Sequence, residues 1–223
     1  VLHSYGGPEV LSIEEVADPV PGPDEVLVQV AATALNRADL LQRMGLYPDP
    51  RKAQPEIPGL EFAGTVAAVG SRGTMWQVGD RVMGITAGGA YAERIAVHER
   101  QLLAVPTTMP LTEAAAIPEV FLTAWDALVL QGGLTSGRWA LVHAGASGVG
   151  TASIQIAKAV GARIAVTCSP GKAALCRSLG ADVVFDRSPS DWLAAAKAAV
   201  PAGFDTILDV VGGEEIDRNL QAV

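Results

Sequence analysis

Apolar and polar residues alternate in short runs over the first part of the chain. Glu25-Val-Leu-Val-Gln-Val-Ala-Ala32 is the clearest of these runs, and it follows the rigid turn Pro19-Val-Pro-Gly-Pro-Asp24. Alternation between turns of this kind is typical of half-buried strands. Three further runs are predicted as strands for the same reason: Leu11–Val16, Val78–Gly84 and Gly89–Val97. Short strands at this frequency predict a small, partly closed β-barrel over residues 1–112.

The pattern changes near Leu111, after which helical and strand periods alternate. Thr112 is predicted to cap a helix that starts at Glu113, and a second helix is predicted over Glu119–Leu130. Four strands are predicted after them, at Trp139–His143, Arg163–Thr167, Val183–Phe185 and Phe204–Asp209. The intervening helices are predicted to end at Gly161, Gly180 and Pro201, and the last of them opens at a capping box, Ser188–Asp191. This order predicts an α/β fold with a doubly wound parallel sheet over residues 113–223.

The predicted parallel sheet is short. Only fourteen residues follow Asp209, whereas a complete sheet of this type has about six strands in two halves. The second half of the sheet is therefore expected to be missing from this chain. We expect a fragment, a shortened form or part of a longer sequence, and the absence of an initiating methionine at Val1 points the same way.

Charge and hydropathy argue against a nucleic-acid-binding protein and against a membrane-spanning one. The net charge is −8, the pI is near 4.8 and no run of lysine or arginine occurs, which excludes nucleic acid as a partner. No apolar run approaches the ~18 residues of a membrane-spanning helix, and the N-terminus lacks a signal-peptide pattern. Cys168 and Cys176 are too few for a disulfide framework or a structural zinc site, so we interpret them as buried or half-buried thiols. A cytoplasmic protein without a membrane partner is predicted.

A glycine-rich turn after the first parallel strand carries the clearest chemical signal. Gly145, Ser147 and Gly150 have the spacing of a dinucleotide-binding fingerprint, with serine in place of the middle glycine. Glycines let the backbone approach a pyrophosphate, and the N–H groups at the start of the next helix attract its charge. The residues predicted to hold the pyrophosphate are Ala144, Gly145, Ser147, Gly148, Val149 and Gly150. The alternative is a tight packing turn without a ligand; a nucleophile elbow is excluded, because Val149 replaces its last glycine.

The end of the second parallel strand indicates which dinucleotide binds. An NAD site normally has an aspartate or glutamate there, which takes the ribose hydroxyls. This chain has no carboxylate between Gly150 and Asp182. The hydroxyl of Ser169 and the ammonium of Lys172 suit a 2′-phosphate instead. The sequence thus predicts NADP(H), with Lys172 as an ordinary solvated residue as the alternative.

Motifs in both halves occur in the order found in one enzyme family. They are Ala34–Arg43, Tyr47, Pro58–Gly64, Val78–Val82, Ala115–Pro118, Leu122–Ala124, His143–Gly150 and Asp209–Gly213. Together they resemble the medium-chain dehydrogenase/reductase superfamily, in which a GroES-like catalytic domain precedes a Rossmann domain. The zinc-free quinone oxidoreductase (zeta-crystallin-like) branch is most similar. Asn36–Asp39 and His143–Gly150 look like its tumour-suppressor-inducible subgroup in particular.

The resemblance implies further contacts with NADP(H), from Thr123 at the nicotinamide end and from Val211. It also implies a homodimer for the full-length protein. The branch often has a tyrosine near the 2′-phosphate, where this chain has Asp186 and Arg187. Arg187 can replace the tyrosine, whereas Asp186 would repel a phosphate if it pointed inward.

The zinc-dependent members of the superfamily provide a contrast. Their catalytic metal uses cysteine, histidine and commonly a second cysteine at the positions that match Asn36, Leu60 and Glu119. Leu60 has no ligand atom, and an asparagine such as Asn36 is a poor zinc ligand. We therefore expect no metal in this protein and no chemistry through a zinc alkoxide.

Without a metal, the acceptor must be reducible by hydride alone, as a quinone is. Tyr47 is the best candidate for a hydrogen bond to the acceptor oxygen, because an ordinary tyrosine with a pKa of ~10 remains a donor; the alternative is a loop aromatic that only packs. Asn36 and Asp39 lie on one face if their segment is helical. Either both residues line the cleft, or Asp39 only caps the helix through a local hydrogen bond. Ser147 is predicted to contact both cofactor and substrate, and Glu61 to be structural.

Three functions remain open from the sequence. The first is NADPH-dependent reduction of quinones by hydride transfer without a metal. The second is reduction of an activated C=C bond, in an enone or an enoyl thioester, on the same scaffold. The third is an NADPH-binding protein that is inactive or truncated, which the apparently incomplete sheet suggests.

Overall fold

The computed structural model describes residues 1–47, 49–50, 55–187, 192–213 and 215–223. The backbone divides into two compact units, Val1–Glu119 and Val120–Val223. The domain boundary predicted between residues 112 and 113 lies shortly before this division.

The first unit is built around an antiparallel sheet. Its strands are β1 (Glu25–Thr33), β2 (Glu61–Val69), β3 (Arg81–Ile85), β4 (Arg94–His98) and β5 (Leu102–Ala104). They are arranged in the order β4-β1-β2-β3-β5. Two helices, α1 (Arg37–Arg43) and α2 (Leu111–Ala114), accompany the sheet. Val26 and Val28 alternate with partly exposed residues along β1 and pack with Phe62 and Ile95, so one face of the sheet is the core.

Two local predictions in the first unit were wrong. Leu11–Val16 is not a strand: only Leu11 makes an isolated bridge, to Leu2, and Ile13 is fully exposed. The apolar residues of this alternating segment are exposed rather than buried. Burial of one face therefore does not hold the segment against a neighbouring strand. Thr112 is not a helix cap, because the helix begins at Leu111 and the carbonyl of Pro110 accepts the N–H groups of Glu113 and Ala114.

Two predicted strands in this unit are shorter than their alternating runs. β3 begins after Gly79, and β4 begins well after Gly89. Gly79 has φ +96° and Gly89 has φ +90°, which is left-handed backbone that a strand does not adopt. The glycines therefore mark the turns before the strands rather than positions within them.

The second unit contains the predicted parallel sheet. Its strands are β6 (Trp139–Val142), β7 (Arg163–Cys168), β8 (Val183–Asp186) and β9 (Thr206–Leu208). They lie in the order β8-β7-β6-β9, all parallel. The helices are α3 (Pro118–Trp125, which begins in the first unit), α4 (Gly148–Ala159), α5 (Ala173–Ser178), α6 (Trp192–Ala199) and α7 (Glu215–Ala222). This arrangement confirms the predicted fold class.

Both faces of the parallel sheet are covered. Ala140 and Val142 of β6 pack in one core with Ile154 of α4. Leu141, between them, packs in a separate core with Trp192 and Ala196 of α6. Burial on both faces explains why these strands read as continuous apolar runs in the sequence.

Two helices in the second unit end at a glycine. Gly161 with φ +75° and Gly180 with φ +108° follow α4 and α5 as predicted. The helix predicted over Glu119–Leu130 is instead α3 followed by a π-helical segment, Asp126–Gln131. The capping box predicted at Ser188–Asp191 lies outside the described residues. Helix α7 was not predicted, because few apolar residues occur in its sequence.

Within the described part of the chain, no helix combines the length and the apolar character needed to cross a membrane.

Candidate functional site

The turn between β6 and α4 is held by its own backbone and by β7. Gly145 donates its N–H to the carbonyl of Thr167 (2.8 Å), and Ser147 donates its N–H to the carbonyl of Ala144 (2.8 Å). Ser147 is the N-cap of α4, since its Oγ accepts the N–H of Gly150 at 3.1 Å. Ala144 has φ +54°, a strained conformation for a residue other than glycine. The turn is therefore a defined structure that the neighbouring strand supports.

Two of its glycines are required by close packing. A Cβ atom on Gly145 would lie 2.4 Å from the Cβ of Val166, and one on Gly150 would lie 2.4 Å from the carbonyl oxygen of Ala144. Both distances are too short for any side chain. The turn can therefore bring the first N–H groups of α4 to the edge of the sheet, where their dipoles favour an anion.

A cavity of about 450 Å³ opens above this turn at the carboxyl ends of the parallel strands. We call it the strand-edge cavity; it is lined by His143, Ala144, Ala146, Ser147, Thr167, Cys168, Ser169, Lys172, Arg187, Trp192, Val211 and Glu215. Five predicted contact residues are among them, namely Ala144, Ser147, Ser169, Lys172 and Val211. The carboxyl edge of such a sheet is where ligands of doubly wound folds bind.

One corner of the strand-edge cavity is basic. Arg187 donates from Nε to the Oγ of Ser169 at 3.2 Å, and Lys172 lies on the same wall. Two cations and a hydroxyl form a chemically suitable site for a phosphate monoester. Asp186 belongs to β8 and is exposed, and it does not number among the described residues that line the cavity.

Thr123 stands apart from the other predicted contacts. It lies on α3, is partly exposed, and is not one of the described lining residues of the strand-edge cavity. Its predicted contact with the nicotinamide stays a prediction.

Sequence reasoning missed a hydrogen-bonded series of polar side chains beside the cavity, of which His143 and Thr167 are buried and Asn219 and Asp209 are partly exposed. His143 contacts Thr167 through Nδ1 (3.0 Å) and Asn219 through Nε2 (2.7 Å), and Asn219 donates to Asp209 (3.0 Å). Trp192 stacks edge-on against the imidazole at a centroid distance of 5.0 Å and donates to Glu215. These partners are separated by up to 76 residues along the chain, so no local pattern could have indicated them.

The first unit has a smaller pocket of about 260 Å³. We call it the Tyr47 pocket; it is lined by Tyr47, Pro50, Leu60, Ile85, Thr86, Ala87 and Glu119. Tyr47 is 49% exposed, which leaves its ring accessible to a ligand. The apolar wall with one phenol and one carboxyl group suits a small, largely apolar molecule that carries an oxygen.

Asn36 and Asp39 form a reciprocal cap at the start of α1. The carboxylate of Asp39 accepts the N–H of Asn36 at 2.7 Å, and the N–H of Asp39 is donated to the backbone carbonyl of Asn36 at 3.1 Å. Asp39 also accepts a hydrogen bond from the hydroxyl of Tyr91 at 2.8 Å. Of the two interpretations left open by the sequence, the structure shows the local bond. Neither residue is among the described lining residues of the Tyr47 pocket.

A buried carboxyl network connects this cap to the pocket. Glu61 is 1% exposed, accepts from the Nδ2 of Asn36 at 2.7 Å and accepts the backbone N–H of Glu119 at 2.9 Å. Burial raises the pKa of Glu61, against the opposing effect of those two hydrogen bonds. Burial and the nearby charges of Glu61 and Asp39 also raise the pKa of Glu119. Two glutamates that resist ionisation therefore lie behind and within the wall of the Tyr47 pocket.

The burial of Glu61 predicts how the stability of the folded protein depends on pH. We expect the Glu61→Gln variant to gain stability relative to the wild type as the pH rises above 4.5, the ordinary pKa of a glutamate. Below that pH the residue is protonated in the folded and unfolded chains alike. Above it, the unfolded chain ionises first, so Glu61 lowers the stability of the wild type relative to the variant until the raised folded pKa is passed. Urea unfolding at a series of pH values measures the difference.

Glu113→Gln is the matched control, because Glu113 is exposed on α2 in the same unit. Its stability difference from the wild type should not follow the pH in this way. A difference between Glu61→Gln and the wild type that stays flat, or that falls as the pH rises, would show that burial does not disfavour the Glu61 carboxylate.

The residues at the zinc-ligand positions of the superfamily do not fit a zinc ion. Leu60 supplies no ligand atom, and the amide of Asn36 is bonded to Glu61. Over the described residues, no group of three or more His, Cys, Asp or Glu side chains could hold a metal.

Comparison with known proteins identifies both units. Residues 22–107 match the family "Alcohol dehydrogenase GroES-like domain", and residues 148–223 match "Zinc-binding dehydrogenase". The synaptic vesicle membrane protein VAT-1 homolog of Rattus norvegicus is 34% identical over 218 residues, which cover 96% of this chain and 54% of that protein. The chain thus spans about half the length of the curated relatives it matches.

Solved structures agree over the whole chain. The CurK enoyl reductase superposes with a TM-score of 0.92 at 32% identity, covering 100% of this chain and 69% of its own. The quinone oxidoreductase of Pseudomonas syringae pv. Tomato DC3000 gives 0.90 at 36% identity, with the same two coverages. Fold, motifs and relatives agree that this chain belongs to the medium-chain dehydrogenase/reductase superfamily, in its zinc-free, quinone-oxidoreductase-like branch.

Proposed function

We propose that the protein reduces quinones with NADPH and without a metal. The observation that carries the proposal is the strand-edge cavity, which combines a phosphate-binding turn with the basic corner of Ser169, Lys172 and Arg187. The likeness to a quinone oxidoreductase supports the choice of acceptor. A donor set unsuited to zinc supports it as well, because a quinone needs no Lewis acid to accept hydride.

In this proposal the turn residues bind the pyrophosphate and the basic corner binds the 2′-phosphate. Helix α4 begins with Gly148, Val149 and Gly150, whose N–H groups have no carbonyl acceptor one turn earlier in the helix. The side chain of Ser147 accepts the N–H of Gly150 instead. Lys172 and Arg187 then neutralise the phosphate that distinguishes NADPH from NADH. Bound NADPH supplies a hydride from its nicotinamide ring, so that a quinone and one proton become a hydroquinone.

We further propose that the hydroxyl of Tyr47 donates a hydrogen bond to the oxygen of the acceptor. The phenol lines the Tyr47 pocket and is half exposed. A donor at that oxygen stabilises the negative charge that hydride transfer places on it. Asn36 and Asp39 act indirectly here, by fixing the start of α1 and the carboxyl network behind the pocket.

The direct test mixes the chain with NADPH and an ortho- or para-quinone and follows the loss of nicotinamide absorbance. Consumption of NADPH that depends on the quinone, with hydroquinone as the product, is the expected result. An enone and an enoyl thioester are assayed in parallel. Binding of NADPH without turnover of any acceptor would favour an inactive binding protein instead.

The second candidate is an enoyl or alkenal reductase. The likeness to the CurK enoyl reductase favours it. Reduction of an activated C=C bond also needs a proton at the carbon next to the carbonyl, which a quinone does not require. Turnover of the enoyl thioester with none of the quinone would establish this activity and reject the first.

Tyr47 gives a prediction on the reaction itself. We expect the Tyr47→Phe variant to lower kcat about fivefold, because one neutral hydrogen bond contributes about 1 kcal/mol and the rate depends exponentially on transition-state stabilisation. Affinity for NADPH, measured by fluorescence titration, should be nearly unchanged.

Tyr5→Phe is the matched control, since Tyr5 lies in the same unit and donates to Glu56 rather than lining the pocket. Its kcat should equal that of the wild type. If Tyr47→Phe and Tyr5→Phe turn over quinone equally well, Tyr47 has no part in the reaction.

A further inference from the structure

The imidazole of His143 lies at the end of β6, and both of its ring nitrogens have hydrogen-bond partners. The residue is 2% exposed. Its Nδ1 lies 3.0 Å from the hydroxyl oxygen of Thr167, and its Nε2 lies 2.7 Å from the amide oxygen of Asn219 on α7. Trp192 covers the ring edge-on. Both ring nitrogens therefore have one defined partner each.

The direction of each hydrogen bond follows from Asp209. Its carboxylate accepts the N–H groups of Val211 and Gly212, each at 2.8 Å, and accepts from Nδ2 of Asn219 at 3.0 Å. Burial opposes the charge, but these hydrogen bonds and the electrostatic effect of His143 outweigh it, so the pKa of Asp209 is lowered. A carboxylate only accepts. The amide nitrogen of Asn219 must therefore face Asp209, and its oxygen must face His143.

An amide oxygen accepts as well, so the Nε2 of His143 carries the proton. In the neutral imidazole the other nitrogen, Nδ1, has a lone pair and accepts from the hydroxyl of Thr167. Every bond in the series then runs one way, from Thr167 to His143, from His143 to Asn219 and from Asn219 to Asp209. We call these four residues the His143 relay.

The relay determines what Thr167 can offer a ligand. Thr167 is 3% exposed and lines the strand-edge cavity. Its only hydroxyl proton is used on His143, so its hydroxyl oxygen can act toward a ligand only as an acceptor. NAD-type sites have a carboxylate acceptor for the ribose hydroxyls near the end of this second strand. This chain has none between Gly150 and Asp182.

We propose that Thr167 accepts a hydrogen bond from a ribose hydroxyl of the bound dinucleotide, and that His143, Asn219 and Asp209 are positioning residues that restrict it to this acceptor role. The inference rests on the proposed function, because it requires a dinucleotide in the strand-edge cavity. It assigns a function to α7, whose Asn219 fixes the proton on His143 from outside the turn.

The relay itself is tested without any ligand. The chain has three histidines, and His3 and His98 are exposed and serve as internal references. Nitrogen-15 NMR of the imidazole rings should show His143 as the Nε2–H tautomer in the wild type, assigned with the His143→Gln variant. The Asn219→Leu variant removes the acceptor and should lose this single tautomer. An Nδ1–H tautomer in the wild type would overturn the relay.

The ligand contact is tested by NADPH titration of three proteins. Thr167→Val keeps the shape but removes the hydroxyl, and we expect a loss of affinity of about tenfold. Thr167→Ser keeps the hydroxyl and should bind within about twofold of the wild type. Wild-type affinity in Thr167→Val would overturn the contact.

The two possible failures remain distinguishable. A wild-type protein that binds neither NADPH nor NADH rejects the proposed function and, with it, the ligand contact of Thr167. The tautomer of His143 then still decides whether the relay exists. Tight binding of NADPH to the wild type and to Thr167→Val alike rejects the contact alone.

Discussion

The Gly150→Ala variant is expected to lose affinity for NADPH by about 100-fold. Its new Cβ atom would lie 2.4 Å from the carbonyl oxygen of Ala144 and 2.6 Å from the carbonyl carbon of Gly145. Both are backbone atoms of the turn, so no side chain can move aside. Relief of such overpacking typically costs about 1–3 kcal/mol, and the hydrogen bond from Gly150 to Ser147 is about 1 kcal/mol more. That sum corresponds to about 100-fold in affinity if the turn opens to accommodate the methyl group.

Fluorescence titration with NADPH measures this loss, and thermal unfolding shows whether the second unit still folds. Gly171→Ala is the matched control, because a Cβ atom at Gly171 meets no other atom within 4 Å and its φ lies outside the left-handed range. The control should bind and unfold like the wild type. If Gly150→Ala binds NADPH as tightly as Gly171→Ala does, the turn is only a packing feature and not a phosphate site.

The fold of the second unit was predictable because its signals are local. The apolar runs of β6 and β7, the glycines after α4 and α5 and the glycine-rich turn each act within a few residues. Helix α7 lacks such a signal. It is polar over much of its length, and it is held by contacts such as the one from Asn219 to His143, which lie 76 residues apart.

The first unit shows the opposite weakness. Leu11–Val16 alternates as well as many strands do, yet only Leu11 pairs with another segment. A strand requires a partner, and the sequence of one segment does not reveal whether a free edge is available to it. The frequency of short strands and turns over the whole unit still indicated a β-rich fold, because one misassigned segment changes that frequency little.

The candidate site divides in the same way. The sequence could indicate the turn residues from Ala144 to Gly150 and the basic residues near the end of the second strand as candidates, because a spacing and a residue type carry the chemistry. Their binding role stays a prediction. The roles of Glu61, Glu119 and the His143 relay were not predictable. Their properties arise from burial and from hydrogen bonds between distant segments, which raise or lower a pKa without leaving a motif.

Lys172 should decide which dinucleotide the protein prefers. We expect the Lys172→Ala variant to bind NADPH about 10- to 100-fold more weakly, because a hydrogen bond between charged groups contributes about 1.5–3 kcal/mol. NADH lacks the 2′-phosphate, so its affinity should change by less than about twofold. Arg187 lies on the same wall and bonds to Ser169, so the Lys172→Ala/Arg187→Ala double variant should lose most of the remaining preference. Titration of each protein with both dinucleotides gives the ratio of Kd values directly.

Lys197→Ala controls for the loss of one positive charge in the same unit, since Lys197 is exposed on α6 and lies outside the described lining of the strand-edge cavity. It should leave both affinities unchanged. The preference of the wild type for NADPH should also weaken as salt is added, because Lys172 and Arg187 are exposed and salt screens their charges. Equal losses for NADPH and NADH in Lys172→Ala would mean that Lys172 supports the fold of the cavity and does not recognise the 2′-phosphate, and the cofactor assignment would then rest on the carboxylate-free strand alone.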